Sequence, residues 1–159
     1  MIRLFVLPLT LFLIFSQSAI ASDGTVAIDH ILKQDEAPAG IVFEIVSDDE
    51  DFLDEILPDL KIAISKLRQK FPDLSMAIVT HGKEQFALAS SNSNNNKNAH
   101  SLTKELVKDD IDVHVCGTHA GWYGVSPEDF PDYVDVSPAG PTQIDDYEEM
   151  GYELIFLTD

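Results

Sequence analysis

The sequence of 159 residues contains one cysteine, Cys116, and only 10 basic side chains. A single cysteine excludes an intramolecular disulfide framework and a zinc site built from paired cysteines. The sequence also lacks a phosphate-binding loop, a dinucleotide fingerprint, a calcium loop and a nucleophile-elbow serine. No cofactor is therefore predicted, and the distinctive chemistry that remains is that of the lone thiol.

Negative charge dominates the composition, with 28 acidic side chains and a formal net charge of −18. Such a surface repels phosphate backbones and anionic lipid, so nucleic-acid binding and docking on acidic membranes are not expected. The acidic residues gather near positions 48–51, 109–110 and 145–149. We interpret these clusters as solvated surface and helix N-terminal charge rather than metal sites.

Residues 1–21 have the pattern of a secretory signal peptide. Arg3 precedes an apolar run over 4–15, and the segment over 19–21 has the small residue alanine at both of its ends, the second being Ala21. The apolar core is shorter than the roughly 20 residues of a membrane-spanning helix, although an uncleaved anchor is the alternative. We expect cleavage after Ala21, a periplasmic location and no membrane attachment thereafter.

The mature chain is predicted to be one α/β domain over residues 40–159, preceded by a lead-in over 22–39 with an edge strand at 25–28. Apolar patterning predicts strands at 40–46, 76–80, 84–89, 111–116, 133–136 and 152–157. Helices are predicted at 52–71, where Pro58 introduces a kink or a later start, and at 100–108 and 141–150, with a short one within 122–130. Alternating strands and helices predict a three-layer α/β/α sandwich around a mainly parallel sheet of about five strands.

Cys116 ends a predicted strand, at the sheet edge where ligands of parallel sheets collect. Alternation places His114 and Cys116 on one face, and a helix beginning after Gly117 would favour the thiolate. His119 follows within one turn, so Cys116 and His119 are the candidate catalytic pair for persulfide chemistry. Two alternatives stay open: an inert packed cysteine, and a copper or zinc site formed by His114, Cys116, His119 and His81.

The ordered features of the C-terminal half resemble those of the DsrE/DsrF-like (YchN-like) family. These are a strand ending in Val-Cys-Gly at 115–117, Gly-Val at 124–125, Phe-Pro at 130–131, a segment over 134–140 and Glu-Met-Gly-Tyr at 149–152. The resemblance implies a small α/β sandwich, homo-oligomers, and a persulfide-carrying cysteine at position 116. It favours a periplasmic sulfur carrier or transferase over a turnover enzyme. Such a carrier exchanges sulfur with a donor or acceptor protein or a small sulfur compound; a non-catalytic interaction module is the other reading.

Overall fold

The structure, a computed structural model, describes residues 22–159. Five parallel strands form one sheet in the order β4-β3-β2-β1-β5. Their bounds are β1 Gly40–Ile45, β2 Met76–Thr80, β3 Ile111–Cys116, β4 Asp135–Ser137 and β5 Tyr152–Leu157. The predicted α/β architecture with a parallel sheet is confirmed.

Within residues 22–159, five helices connect and cover these strands. They are α1 Ser22–Ile31, α2 Phe52–Lys70, α3 Lys97–Lys108, α4 Gly117–Trp122 and α5 Gly140–Glu149. Three 3₁₀ turns lie at Lys83–Leu88, Ser90–Asn92 and Pro127–Asp129. Among residues 22–159, no helix is both long enough and apolar enough to cross a membrane.

The two faces of the sheet are covered unequally. The main core packs the alternate residues Ile41, Phe43 and Ile45 of β1 against α1, α2 and α3. The opposite face carries a smaller cluster in which Val42 packs with Tyr147 of α5. This division follows from strand alternation, because successive side chains of β1 point to opposite sides and each side needs its own cover.

Helix α2 runs unbroken through Pro58. Its apolar residues recur at helical spacing and are buried, from Phe52 to Leu67, and acidic residues begin the helix while basic residues end it. This charge order complements the helix dipole. Burial of the apolar face outweighs the hydrogen bond that Pro58 cannot donate, so the later start considered for this helix is wrong.

Two predicted strands are wrong. Residues 25–28 belong to α1, which packs closely enough that a Cβ on Gly24 would lie 2.5 Å from Leu157 of β5. Residues 84–89 lie mostly in the 3₁₀ turn, where the adjacent side chains of Glu84 and Gln85 are both fully buried. In a strand, those two adjacent side chains would point to opposite faces of the sheet. Local alternation could not reveal that both are buried at the same edge of the sheet. The predicted signal peptide lies outside the described residues.

Candidate functional site

A cleft opens at the sheet edge where β1, β2 and β3 end. Its volume is about 640 Å³, and it is lined by Ser47 after β1, by His81 after β2 and by Cys116 at the end of β3. The carboxyl edge of a parallel sheet is where ligands of such folds collect. This cleft is therefore the candidate site.

Cys116 lines the cleft with only 4 % of its surface exposed. Helix α4 begins at the next residue, and Cys116 Sγ accepts the backbone N–H of His119 at 3.4 Å. The thiol thus takes the place of an N-cap side chain in the first turn of α4. The strand-to-helix junction expected after Gly117 is present, and the sulfur lies within it.

Gln85 connects Cys116 to His119. Its side chain is fully buried, its Oε1 accepts the backbone N–H of Cys116 at 2.8 Å, and its Nε2 lies 2.9 Å from Nδ1 of His119. Sequence reasoning missed this residue, because a glutamine in an irregular segment normally belongs to the surface. No local signal marks it; only its two tertiary partners do.

The backbone of Cys116 determines which nitrogen of His119 carries the proton. A backbone N–H can only donate, so the atom of Gln85 that faces it must be the amide oxygen. The amide nitrogen then faces Nδ1 of His119 and donates to it. A neutral His119 consequently carries its proton on Nε2, which is left free to donate to another group. Because His119 lines the cleft, that group can be a ligand.

Aromatic side chains hold the His119 ring. The ring centroids of Phe86, Trp122 and Tyr123 lie 5.8, 5.6 and 5.2 Å from that of His119, the last two in edge-on arrangements. Trp122 nevertheless exposes 75 % and Tyr123 54 % of its surface. These two side chains therefore orient the imidazole and also form an aromatic rim beside the cleft.

Glu84 ties together the loops that border the cleft. Its carboxylate is fully buried and accepts the backbone N–H groups of Ser47 at 2.7 Å and Gly82 at 2.8 Å, together with the hydroxyl of Thr80. A Cβ on Gly82 would collide with Glu84 Oε2 and with the carbonyl oxygen of Ser47, so only glycine fits there. Glu84 and Gln85 together thus take backbone hydrogens at the ends of β1, β2 and β3.

His114 is buried, does not line the cleft and is a packing residue. Its Nε2 lies 2.9 Å from the hydroxyl of Tyr147, and its Nδ1 lies 3.2 Å from the hydroxyl of Ser137. Burial lowers the pKa of His114, and burial with the nearby Asp112 carboxylate raises the pKa of Tyr147. Both groups stay neutral near pH 7 and serve to join β3 to α5.

His81 is also engaged, since its Nε2 lies 2.7 Å from Glu44 Oε1. Within the part of the chain that the structure describes, no group of three or more histidine, cysteine or acidic side chains is placed to hold a metal ion. The set of His81, His114, Cys116 and His119 is therefore not assembled as metal ligands. His114 is the clearest departure from that set, because both of its ring nitrogens already have partners.

Comparison with known proteins agrees with this architecture. The sequence profile of the DsrE/DsrF-like family matches residues 47–157, which is more than half of the chain. The chain belongs to the DsrE/DsrF-like family. This family is linked to sulfur relay. The matched region includes β2 to β5 together with Gln85, Cys116 and His119, so the thiol and its neighbours lie within it.

Two solved structures share the fold of this DsrE/DsrF-like protein. MTH1491 from Methanobacterium thermoautotrophicum, of unknown function, is 18 % identical, with a TM-score of 0.59 over 73 % of this chain and 96 % of its own. YchN from E. coli is 14 % identical, with a TM-score of 0.55 over 74 % of this chain and 98 % of its own. At these identities the likeness concerns the fold alone. No curated protein matches the sequence.

Proposed function

We propose that this DsrE/DsrF-like protein is an exported sulfur carrier in which Cys116 accepts sulfane sulfur as a persulfide and passes it on. The observation that carries the proposal is the position of the thiol. Cys116 lines the cleft at the carboxyl edge of the sheet, and its sulfur accepts the His119 N–H at 3.4 Å. A donated N–H favours the anionic form of a sulfur atom, which is the nucleophilic form.

The transfer needs no cofactor. The Cys116 thiolate attacks a terminal sulfur of polysulfide, a bond forms between Sγ and that sulfur, and the adjacent sulfur–sulfur bond breaks. The shortened polysulfide leaves with the electron pair of the broken bond. The product is a Cys116 persulfide, whose outer sulfur can be attacked in turn by an acceptor thiolate that regenerates the Cys116 thiolate.

His119 is proposed to stabilise the loaded sulfur. The contact with Gln85 leaves Nε2–H as the donor of a neutral His119, and a persulfide anion is an acceptor for such a group. His119→Ala should therefore still accept sulfur but release it faster to a thiol acceptor. His30→Ala, which changes an exposed histidine on α1, is the matched control.

Intact-mass measurement tests the proposal. The protein is incubated with polysulfide in about 0.5 M salt, which screens its acidic surface from the anionic reagent. We expect the protein mass to increase by the mass of one or more sulfur atoms. A reductant should remove this added mass, and Cys116→Ser should not gain it. A native protein that gains no reducible sulfur, while the unfolded protein does, would contradict the proposal.

A second function is favoured by the 4 % exposure of Cys116. In that case the cysteine only fills volume and the protein acts as a non-catalytic interaction module. Alkylation separates the two functions. A sulfur carrier reacts with iodoacetamide while folded, whereas a packed cysteine reacts only once the chain unfolds.

Export and self-association complete the proposal. Cleavage after Ala21 would give a mature protein that begins at Ser22, which N-terminal sequencing of the exported protein would show.

Homo-oligomers are expected as well, and Leu154 and Phe156 on the edge strand β5 are exposed apolar side chains suited to contact between copies. Light scattering of the wild type and of Phe156→Lys would measure this, with dissociation expected in the variant.

A further inference from the structure

Acidic side chains at the mouth of the cleft outnumber basic ones. Asp48 and Asp159 line the cleft, whereas none of the described residues that line it is lysine or arginine. The Asp48 side chain is 95 % exposed, and the cation beside it is Lys83, whose Nζ lies 3.5 Å from Asp48 Oδ1. Together with the net charge of −18, this arrangement repels anions and attracts cations at the site.

The aromatic rim extends this surface beyond the cleft. Trp122 lines the cleft yet exposes 75 % of its surface, and Tyr123 beside it exposes 54 %. Exposed tryptophan and tyrosine are typical anchors of protein interfaces, and their ring faces attract lysine and arginine side chains. A ligand that fits inside the cleft would leave most of this surface uncovered, so the rim favours a protein partner.

We propose that the cleft mouth and aromatic rim, formed by Asp48, Asp159, Trp122 and Tyr123, dock a basic segment of a partner protein whose cysteine exchanges sulfur with Cys116. This inference rests on the proposed sulfur-carrier function and names the partner's chemistry. The Cys116 thiolate attacks the outer sulfur of the partner's persulfide, the partner's S–S bond breaks, and its cysteine leaves as a thiolate. Sulfur is conserved, and no external oxidant or reductant is needed.

Two synthetic peptides of equal length test the charge preference. Each contains one cysteine activated as a 2-pyridyl disulfide, flanked by lysines in one peptide and by glutamates in the other. The Cys116 thiolate forms a mixed disulfide with the peptide and releases pyridine-2-thione, which is followed by absorbance. Hydroxyethyl disulfide, which is small and uncharged, reports the intrinsic reactivity of the thiol.

We expect the lysine peptide to react about tenfold faster than the glutamate peptide at low ionic strength, with the ratio falling as salt is added. Asp48→Asn with Asp159→Asn should lower this ratio about threefold, and because both peptides react with the same thiol, any change in its intrinsic reactivity cancels in the ratio. Asp73→Asn with Asp109→Asn removes the same charge from exposed residues before β2 and β3, at the opposite sheet edge, and should preserve the ratio. Trp122→Ala should lower the reaction rate of the lysine peptide more than that of hydroxyethyl disulfide.

Equal rates for the two peptides would overturn the inference. The inference would also be overturned if both double substitutions lowered the preference for the lysine peptide equally, because that preference would then reflect the net charge of the protein alone. The reaction of Cys116 with polysulfide at high salt is measured in a separate experiment. If the protein gains sulfur from polysulfide but shows no preference between the two peptides, this inference is overturned and the sulfur-carrier function stands. A folded protein inert to polysulfide and to hydroxyethyl disulfide would overturn both.

Discussion

Gln85 and His119 are 34 positions apart in the chain, and Nε2 of the first lies 2.9 Å from Nδ1 of the second. The same glutamine accepts the backbone N–H of Cys116 at 2.8 Å, which fixes the orientation of its amide. The candidate site is therefore a connected unit in which one buried amide positions both the strand that carries the thiol and the imidazole beside it. Gln85 is a positioning residue, because it contacts the backbone of Cys116 and the ring of His119 but does not line the cleft.

Gln85→Glu should change the tautomer of His119. A glutamate still accepts the Cys116 N–H, but its second oxygen cannot donate to Nδ1, so Nδ1 must itself carry a proton. Nitrogen NMR of the imidazole distinguishes the two tautomers and the doubly protonated form. We expect Nδ1 to be unprotonated in the wild type near pH 8 and protonated in the variant.

The matched control for this substitution is Gln69, an exposed glutamine near the end of α2. Gln69→Glu makes the same chemical change away from the cleft and should leave the His119 signals unmoved. An unchanged tautomer in Gln85→Glu would show that the amide does not control the ring.

Glu84→Gln should destabilise the protein although it changes a single atom. The carboxylate accepts hydrogens from Ser47, Gly82 and Thr80, and an amide would turn an –NH₂ group toward at least one of these donors. A buried donor without a partner costs about 1–3 kcal/mol. Urea unfolding should show a loss of this size, whereas Glu55→Gln on the exposed side of α2 should stay within about 0.5 kcal/mol of the wild type.

His114 should make stability depend on pH below neutrality. Burial lowers its folded-state pKa below the ordinary value of 6.5, so as the pH falls through 6.5 the unfolded chain takes up a proton that the folded chain does not. The free energy of unfolding therefore decreases with falling pH until the lowered folded-state pKa is reached. In His114→Gln, the free energy of unfolding should decrease less steeply between about pH 7.5 and pH 5 than in the wild type. Urea unfolding at each pH measures this. His100, whose pKa burial also lowers, keeps its own contribution in that variant.

Pro58→Ala should stabilise the protein. Pro58 lies inside α2 and cannot donate to the carbonyl of Asp54, and its side chain is exposed, so no buried apolar contact is lost. Restoring the helical hydrogen bond should raise the free energy of unfolding by about 1–3 kcal/mol. Gln69→Ala, at another exposed position of α2, should change it by less than about 0.5 kcal/mol. A loss of stability in Pro58→Ala would mean that proline has a favourable role in this helix.

Local patterning was sufficient for most of the fold. The strands at 76–80, 111–116 and 152–157 have the predicted bounds, since each is a short apolar run between breaking residues. The helix over 52–71 was predicted because its apolar residues recur at helical spacing. The segment over 25–28 was predicted wrongly, because the ten residues of α1 gain their helical form from packing on β5 and α2 rather than from propensity.

For the site, the sequence by itself determined the thiol, its place at the end of a strand and the histidine one turn later. These are properties of neighbouring residues, so period and spacing reveal them. Only the tertiary structure decided that Gln85 joins the two, that Glu84 joins the loops after β1 and β2 and that His114 faces Tyr147. Hydrogen bonds between residues this far apart in the chain depend on how strands are ordered and how turns are placed, and no local pattern encodes that geometry.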